Sequence, residues 1–342
     1  MEKTLTVTVP AYNADQWLEY NLNSLCLRDC LEDLEIIIVD DGSSDRTGAI
    51  ADEYAKRFPD TVRVIHKENG GHGSGVNAGI REARGRYFKV VDSDDWVEEE
   101  SFRELLRYLK SADDDIVSSG FLWARDNGSG YPATFPTAAE MKEPFAGVEY
   151  RKSYCFDEIA ERLYLKIHNL TWRTAILQEH EITLDEHCYY VDNEFITYPI
   201  PYAESVSFLP DFVYRYRIDR VGQSMSWEKL QKNASNYDRV LEALLSFYES
   251  DTVQKSSREK RQYIANIIAR VAAARIRIFL SLPAGKENKA ALIRFDQGMK
   301  KNHPEIYRAN INKAVAALRK SRYLLYGAAA AAVKEKYGRT TV

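Results

Sequence analysis

Residues 35–45 read EIIIVDDGSSD, a run of apolar residues that ends in two aspartates and a turn sequence. An uninterrupted apolar run of this kind is typical of a parallel strand that is buried on both faces. Upstream, residues 5–9 alternate apolar and polar side chains, and residues 17–25 carry apolar side chains at helical spacing. The chain is therefore predicted to open with a strand, a helix and a second strand.

The same alternation continues along the chain. Further helices are predicted over 47–57, 74–83 and 101–109, and further strands over 62–65, 87–91 and 116–118. Alternating strands and helices with short connections indicate an α/β fold with a doubly wound, mainly parallel sheet and helices on both faces. We expect residues 1–120 to form a nucleotide-binding half and residues 121–222, with β-like pieces at 205–209 and 212–216, to complete a catalytic domain. Residues 223–342 are expected to form a basic helical C-terminal domain.

Composition and charge narrow the class of protein. The 342 residues, 45% apolar and 29% charged, suit one large or two fused folded domains and exclude a disordered or disulfide-dense chain. Residues 255–342 hold 20 Lys and Arg against 5 Asp and Glu, a net of +15, whereas residues 1–254 hold 27 against 46, a net of −19. Such a basic segment predicts a surface for anionic partners, and the alternative is an ordinary solvated helical face.

The sequence also bears on location. The cysteines make no CxxC pair and no cluster with zinc-site spacing, so we expect reduced thiols; they are Cys26, Cys30, Cys155 and Cys188. No apolar signal stretch follows Met1, and the apolar pieces 271–282 and 324–333 fall short of the about 20 residues of a spanning helix. A cytoplasmic protein is expected, with its basic helices peripheral on the inner face of the cell membrane.

Polar segments follow each of the first four predicted strands. They read PAYN at 10–13, DDGSSD at 40–45, KENGG at 67–71 and DSDD at 92–95. Because open parallel sheets bind ligands beyond the carboxyl ends of their strands, we expect these loops to converge on one site. Taken singly, each segment is also explained as an ordinary turn or helix cap.

The DSDD segment has the sharpest chemistry of the four. Asp92, Asp94 and Asp95 place three carboxylates within four residues, and these repel one another unless a cation lies among them. An oxygen-rich site suits Mg²⁺ or Mn²⁺ rather than zinc, and such an ion could be shared with a diphosphate.

The glycine-rich stretch GGHGSG at 70–75 matches neither common nucleotide motif. Val76 and Ala78 stand where a GxGxxG motif would need its last glycine, and Asn77 is not the Ser or Thr of a P-loop. Two interpretations stay open: a loop whose backbone approaches a ligand at a helix N-terminus, or a flexible connection.

Five segments, in order, resemble the motifs of the family 2 glycosyltransferases, which have the GT-A fold. They are VPAYN at 9–13, EIIIVDDGSSD at 35–45, NGG with VNAGI at 69–80, ARGRYFKVVDSDDWV at 83–97 and YVDNEF at 190–195. The resemblance covers about residues 4–220. It implies an inverting, metal-dependent transferase of the capsule or exopolysaccharide type, which moves a sugar from a UDP-sugar to a hydroxyl of a glycan acceptor.

The resemblance also assigns residues to the donor site. Pro10, Tyr12 and Asn13 match the loop that holds the base, and Asp41, with Asp40, matches the carboxylate that accepts from the uracil imide. Residues 214–224 resemble the loop that closes over the donor diphosphate. The other implied nucleotide-sugar contacts are Asn69, Gly71, Asn77, Asp92, Ser93, Arg220 and Gln223.

The metal, the base and the acceptor site are implied in the same way. Asp94 would ligate Mg²⁺ or Mn²⁺, with Asp92 on the metal or the ribose, and Asp192 matches the Asp of the family's general-base motif. Asp192 has an alternative role as the N-cap of a helix that begins at Glu194. Residues expected to line the acceptor site are His168, Asn169, Trp172 and Arg173, although packing in the core is the alternative for the tryptophan.

Departures from the family's polymerases favour the addition of a single sugar. Their Gln-x-x-Arg-Trp motif has its nearest match at 223–227, where Ser226 replaces the Arg, and no spanning helix accompanies it. The expected partners are a UDP-sugar donor, a lipid-linked glycan acceptor, an anionic membrane surface and a second copy of the chain, but not nucleic acid.

Two other function classes remain as alternatives. A nucleotidyltransferase would want a glycine-rich loop with Arg or Lys directly after the first strand, where this chain has Tyr12 and Asn13. A non-catalytic module that binds sugar or nucleic acid through the basic C-terminal region would not need Asp92, Asp94 and Asp192.

Overall fold

The computed structural model describes residues 3–125, 147–218 and 227–338. The chain divides into two compact units, Met1–Val221 and Gly222–Val342. This division lies one residue from the boundary expected from the sequence. No helix among the described residues is long and apolar enough to cross a membrane.

One mixed sheet forms the first unit. Its described strands are β1 (Leu5–Ala11), β2 (Leu34–Asp40), β3 (Val62–His66), β4 (Tyr87–Val90), β5 (Trp96–Val97), β6 (Ile116–Arg125), β7 (Ser153–Cys155), β8 (Leu170–Arg173) and β9 (Ser205–Ile218). Their order across the sheet is β3-β2-β1-β4-β8-β6-β9-β5, and β7 pairs with β9.

Strands β1 to β4 are parallel, as the sequence predicts. In their register Val9 lies opposite Ile38, and every residue of β1 and β2 is buried, which is why apolar side chains occupy both faces. Strand β8 then runs antiparallel between β4 and β6, and it joins the parallel half to the pair β6 and β9. The predicted α/β fold with a mainly parallel sheet is confirmed, with antiparallel strands in its second half.

Helices cover the sheet. They are α1 (Leu18–Leu25), α2 (Thr47–Arg57), α3 (His72–Glu82), α4 (Glu99–Leu109), α5 (Phe156–Ile159), α6 (Thr174–Glu179) and α7 (Asp192–Thr197). Short 3-10 turns lie at Ala160–Arg162, Ile167–Asn169 and Ile200–Tyr202. Helix α3 approaches β1 so closely that a Cβ on Gly79 would lie 2.1 Å from Thr8 Oγ1. A glycine at this position lets the helix rest on the strand.

The second unit is helical, as expected. Its helices are α8 (Trp227–Lys232), α9 (Ala234–Tyr248), α10 (Asp251–Lys255), α11 (Arg258–Ser281), α12 (Lys286–Asn302), α13 (Pro304–Ala309), α14 (Lys313–Lys320) and α15 (Tyr326–Gly338). Residues Ala273, Ile276 and Leu280 of α11 pack in one core with Leu292 of α12 and Leu318 of α14. Pro283 and Gly285 lie between α11 and α12.

Candidate active site

The loops after β1 and β2 meet at the carboxyl edge of the sheet. The Asp41 N–H donates to the carbonyl of Ala11 at 2.9 Å, and the Asn13 side-chain oxygen accepts from the Ser44 N–H at 2.9 Å. Asn13 adopts φ 48°, a left-handed conformation that asparagine tolerates better than most residues. Tyr12, beside it, is 55% exposed. An aromatic ring is thus presented to solvent where the resemblance places the base.

Pro10 and Asp40, near the ends of β1 and β2, are both buried. The Asp40 carboxylate accepts from the Ser43 N–H at 3.1 Å and lies 2.9 Å from Nδ1 of His66. Both of its oxygens are therefore engaged within the protein, and Asp40 supports the turn after β2.

Asp41 organises the glycine-rich loop. Its carboxylate accepts from Nζ of Lys67 at 2.7 Å and from the N–H groups of Gly70 and Gly71 at 2.9 and 2.7 Å. The exposed Asn69 donates from its side chain to the Asp41 carbonyl at 2.9 Å. Gly71 has φ 83°, which favours glycine. The loops after β2 and β3 are thereby joined through one carboxylate.

Buried side chains hold the DSDD loop in place through hydrogen bonds. Asn21 of α1 donates to the carbonyls of Asp92 and Asp95 at 3.0 and 2.9 Å. The Tyr214 hydroxyl donates to Asp95 at 2.5 Å and accepts from the Asp92 N–H at 3.2 Å. Ser93 is buried within the loop. Asn21 and Tyr214 come from distant parts of the chain. Tyr214 lies in the stretch that resembles the closing loop, whereas Asn21 is not recognisable from the sequence as part of the site.

Asp95 is a supporting carboxyl group rather than an exposed one. It is 1% exposed, and it also accepts from the Arg217 N–H at 2.7 Å. Burial, with the charges of Asp94 and Asp92, raises the pKa of Asp95 well above its usual range. The charges of Asp94 and Asp92 therefore act on Asp95 in the direction expected for carboxylates that repel one another.

A buried cation also lies beneath this loop. The guanidinium of Arg217 sits over the ring of Trp17 at 4.2 Å and over that of Trp96 at 5.1 Å, and its Nε donates to the Asp94 carbonyl at 2.7 Å. Arg217 lies in β9, within the stretch that resembles the closing loop. The sequence signal for it is the alternation of Tyr and Arg at 214–217, which is typical of a strand.

His72 links the DSDD loop to the candidate base. Its Nε2 lies 2.8 Å from Oδ1 of Asp92. Burial opposes protonation of His72, but the negative charges of Asp92, Asp192 and Asp94 outweigh burial and raise its pKa. Burial also raises the pKa of Asp192 to about 6, against the opposing charge of His72. The carboxylates of the metal motif and of the base motif therefore both act electrostatically on His72, a residue of the glycine-rich stretch.

The structure does not use Asp192 as the predicted helix cap. Helix α7 begins at Asp192 itself, its N-cap position is Val191, and no side chain makes the cap hydrogen bond. The alternative in which Asp192 caps a helix from Glu194 is therefore wrong.

His168 also lies close to Asp92, with a ligand atom of each within 4.8 Å of the other. Lys89 fixes its segment by donating from Nζ to the carbonyls of His168 and Leu170 at 2.8 and 3.1 Å. The imidazole packs against the rings of Tyr214 and Tyr216, with centroids 4.8 and 4.4 Å away. Burial lowers the pKa of His168 to about 3 and that of Lys89 to about 7. A neutral imidazole next to carboxylates is a suitable metal ligand.

These side chains form a donor set for a divalent cation. Asp92, Asp95 and His168 offer ligand atoms that all lie within 4.8 Å of one another. Over the part of the chain that the structure describes, Nδ1 of His168 is buried without a hydrogen-bond partner, which fits a ligand position. The predicted pair is Asp94 with Asp92. The donor set shares Asp92 with that pair and adds Asp95 and His168, while Asp94 is partly exposed on the same loop.

Three predicted contact residues lie in the interior instead of facing a ligand. Asn77 exchanges two hydrogen bonds with the backbone of Leu184, at 2.9 and 2.8 Å. Asn169 is buried, accepts from the Lys166 N–H and donates to a neighbouring carbonyl. Trp172 is fully buried in β8. Their assignment to the donor or acceptor site is therefore corrected: buried amides and a core indole were mistaken for contact groups.

Three predicted site residues remain, and the structure describes one of them. Arg173 pairs with Asp113 and Asp115 at the end of β8. Arg220 and Gln223 lie outside the described residues.

Solved structures share this fold. A fragment of Staphylococcus aureus TarS, residues 1–349 in complex with UDP, superposes with a TM-score of 0.66 and 20% identity over 98% of this chain and 91% of that chain. The mannosyltransferase PcManGT of Pyrobaculum calidifontis, in complex with GDP-Man and Mn²⁺, gives a TM-score of 0.52 at 15% identity over 99% of this chain and 88% of that one. At these identities the likeness shows a GT-A fold.

Sequence relatives carry the comparison further. The uncharacterized glycosyltransferase EpsJ of Bacillus subtilis is 32% identical over 215 residues, which are 62% of this chain and 60% of EpsJ. The poly(ribitol-phosphate) β-N-acetylglucosaminyltransferase TarS of Staphylococcus aureus is 26% identical over 65% of this chain and 36% of TarS. This chain thus spans less than two thirds of either relative. The family model described as glycosyl transferase family 2 matches residues 6–176, half of the chain. Together with the five ordered motifs and their convergence at one edge of the sheet, this match shows that the chain belongs to glycosyltransferase family 2.

Proposed function

We propose that this chain is an inverting, metal-dependent glycosyltransferase that moves one sugar from a UDP-sugar to a hydroxyl of a glycan acceptor. The observation that carries the proposal is the cluster of Asp92, His72 and Asp192 at the carboxyl edge of the sheet. Asp92 lies 2.8 Å from the His72 imidazole, and the charge of Asp192, whose own pKa is raised, also acts on that imidazole. Separate roles for two neighbouring carboxylates are what such a displacement requires.

The donor would lie across the loops after β1, β2 and β4. Tyr12 presents its ring to solvent beside the loop of Asp41, which suits stacking of a uracil base. The TarS fragment of the same fold was solved with UDP, which supports a uridine nucleotide. Arg220 and Gln223, in the stretch resembling the closing loop, are proposed to reach the diphosphate.

A bound Mg²⁺ or Mn²⁺ would be held by Asp92, Asp95 and His168, with Asp94, which the resemblance assigns to the metal, on the same loop. The ion would offset the negative charge of the diphosphate. Asp192 accepts the proton of the acceptor hydroxyl. The freed oxygen attacks the anomeric carbon from the face opposite UDP, and the bond between that carbon and the phosphate oxygen breaks with its electron pair leaving on UDP. One displacement inverts the anomeric configuration. Tyr214 and Arg217 keep the DSDD loop in place beneath this chemistry through their hydrogen bonds to Asp95 and Asp94.

The acceptor is proposed to be a cell-surface polysaccharide. EpsJ is named a glycosyltransferase, and TarS is named for transfer to poly(ribitol-phosphate). The net of +15 over residues 255–342 suits a lipid-linked or otherwise anionic acceptor at a membrane face.

UDP release tests the proposal. We expect release from at least one member of a UDP-sugar panel, loss of turnover in EDTA and recovery on adding Mn²⁺. Asp192→Asn should reduce turnover by about 10²- to 10⁴-fold, the contribution of a general base, while UDP still binds. Asp60→Asn, an exposed aspartate outside the cluster, is the matched control and should be unaffected.

The products separate this function from its alternatives. Release of pyrophosphate from a nucleotide and a sugar phosphate would identify a nucleotidyltransferase. Full turnover in EDTA would contradict the metal, and no turnover with any donor would leave a binding module.

A further inference from the structure

The helical unit contains a pocket of about 460 Å³ that is lined chiefly by arginines. Arg258 and Arg261 come from the first two turns of α11, and Arg308 comes from the last turn of α13. The other lining residues are Tyr248, Gln262, Glu305 and Ala309. Three positive charges and one negative charge leave the pocket with a formal charge of +2.

Elsewhere in this unit, the arginines that help to pack the helices are matched by carboxylates. Arg275 makes two hydrogen bonds to Asp238, at 2.5 and 2.9 Å. Arg319 makes three to the buried Asp296, at 2.7 to 3.2 Å. A guanidinium with a structural role is therefore paired here, as burial of charge requires.

In the part of the chain that the structure describes, the pocket arginines lack such carboxylate partners. Within the described ranges, Arg258, Arg261 and Arg308 make no ion pair. Arg261 instead donates to the carbonyls of Gln254 and Ser256, at 3.2 and 2.6 Å, which orients its guanidinium without neutralising it.

The one carboxylate of the pocket is also engaged. Glu305 accepts from the hydroxyl of Tyr248 at 2.6 Å. In addition, Arg258 and Arg261 belong to the first two turns of the 24-residue helix α11, whose cap Ser257 accepts from the Lys260 N–H. The partial positive charge of a helix N-terminus adds to that of the arginines. Like charges gathered in this way repel one another, and an anion would relieve the repulsion.

We propose that this pocket binds a phosphate group, as a monoester dianion or within a pyrophosphate. The guanidinium fork binds phosphate oxygens in pairs, and a dianion matches the +2 charge of the lining. The volume admits a phosphate together with part of the group that carries it. The assignment of that phosphate to a phosphate-bearing acceptor rests on the proposed function, whereas phosphate binding itself does not.

Calorimetric titration of the full chain with glycerol 1-phosphate, at low salt, pH 7.5 and with EDTA, tests the site. At this pH the probe is a dianion, and EDTA prevents a metal from attracting it to Asp92. The double variant Arg258→Gln with Arg308→Gln should bind at least tenfold more weakly, because each charged hydrogen bond lost costs about that factor.

A second double variant is the matched control. Arg277→Gln with Arg294→Gln removes the same charge from exposed positions of α11 and α12 outside the pocket, and its affinity should stay within about twofold of wild type. Equal weakening in both variants would show diffuse surface attraction and overturn the site, as would no binding by the wild-type chain. Circular dichroism melts check that both variants fold.

A competition experiment identifies the molecule that carries the phosphate. Phosphatidylcholine vesicles with phosphatidic acid should displace glycerol 1-phosphate if the pocket takes a lipid headgroup, and should leave it bound if the pocket takes the phosphate of a water-soluble polymer. This titration contains no donor sugar and does not depend on sugar transfer. If the separate UDP-release assay detects no transfer, that result contradicts the proposed function and leaves this inference standing.

Discussion

At the scale of single residues, the burial of Asp192 sets the pH at which it can accept a proton. Its pKa is raised to about 6, and a general base acts only when it is deprotonated. We therefore predict that kcat/KM for UDP release falls as pH falls through about 6, by up to tenfold per pH unit below that value. Initial rates between pH 5 and 8 measure this limb.

Two variants show which group titrates. Asp192→Asn should lose the limb together with most of the activity. His72→Gln should move the limb to higher pH, because the charge of His72 lowers the pKa of Asp192. A limb that stays at the same pH in Asp192→Asn would assign it to another group.

The same raised pKa predicts a stability change of known sign. Between about pH 4 and 6 the folded state binds more protons at Asp192 than the unfolded state, so its contribution to stability falls as pH rises through this window. At neutral pH, Asp192→Asn should accordingly raise the free energy of unfolding, by about 1 kcal/mol for a partly exposed group.

The residues of the site differ in how far they can be predicted from sequence. Asp92 and Asp192 stand in motifs with local spacing, so the sequence alone nominates them. Asn21 acts on carbonyls 71 and 74 positions away, and only the packing of α1 under the DSDD loop shows that role. Asn77 was misassigned because an amide serves a backbone as readily as a ligand, and sequence does not show which partner is present.

At the scale of elements, the DSDD loop depends on β9 through the Tyr214 hydroxyl. Tyr214→Phe removes the bonds to Asp95 and to the Asp92 N–H and leaves both groups short of a partner. We predict a loss of about 1–3 kcal/mol in the free energy of unfolding and weaker Mn²⁺ binding, measured by urea unfolding and by electron paramagnetic resonance titration.

Tyr87→Phe is the matched control for that experiment. Tyr87 is equally buried and donates to the Asp114 carbonyl at 3.1 Å, a bond that does not involve the DSDD loop. It should lose stability but keep its Mn²⁺ affinity. Unchanged Mn²⁺ affinity in Tyr214→Phe would mean that the loop holds its shape without β9.

A second prediction concerns the contact of α3 with β1. Gly79→Ala would place a methyl group 2.1 Å from Oγ1 and 2.4 Å from Cγ2 of Thr8, a short buried side chain that cannot move aside. The expected loss in the free energy of unfolding is about 1–3 kcal/mol. In Gly298→Ala, on α12, the new methyl group meets nothing within 4 Å, and helix propensity should raise stability by up to about 1 kcal/mol. Equal changes in the free energy of unfolding of the two variants would show that helix propensity, rather than the contact with Thr8, sets the effect.

Elements with a clear period were predicted well, and irregular ones were not. Helix α2 has the predicted bounds, because its apolar spacing is regular. Strand β9 was predicted as two pieces around Pro210, but it is one strand whose pairing with β6 shifts register next to Gly120. Strand β8 was missed because four residues, LTWR, are too few to show a period.

At the scale of the whole molecule, positive charge is concentrated in the C-terminal part of the chain. The 20 Lys and Arg against 5 Asp and Glu over residues 255–342 are a property of the sequence and could be read without a structure. The structure adds that the helical unit packs its own apolar core and pairs selected arginines internally. The remaining positive charge is not needed for that core, so it is available for an anionic surface.

We therefore predict that the full chain floats with phosphatidylcholine vesicles that contain phosphatidylglycerol, and not with phosphatidylcholine alone. Each Lys or Arg near an anionic surface contributes about 1 kcal/mol, so a few of the twenty facing one way are enough for reversible binding. Raising the salt to 1 M shortens the Debye length to about 3 Å and should release the protein. Binding that survives such salt would point to apolar insertion instead. A chain that stays unbound at low salt would contradict membrane docking, because screening could not then be the cause, and the basic helices would be left to serve folding or a homodimer.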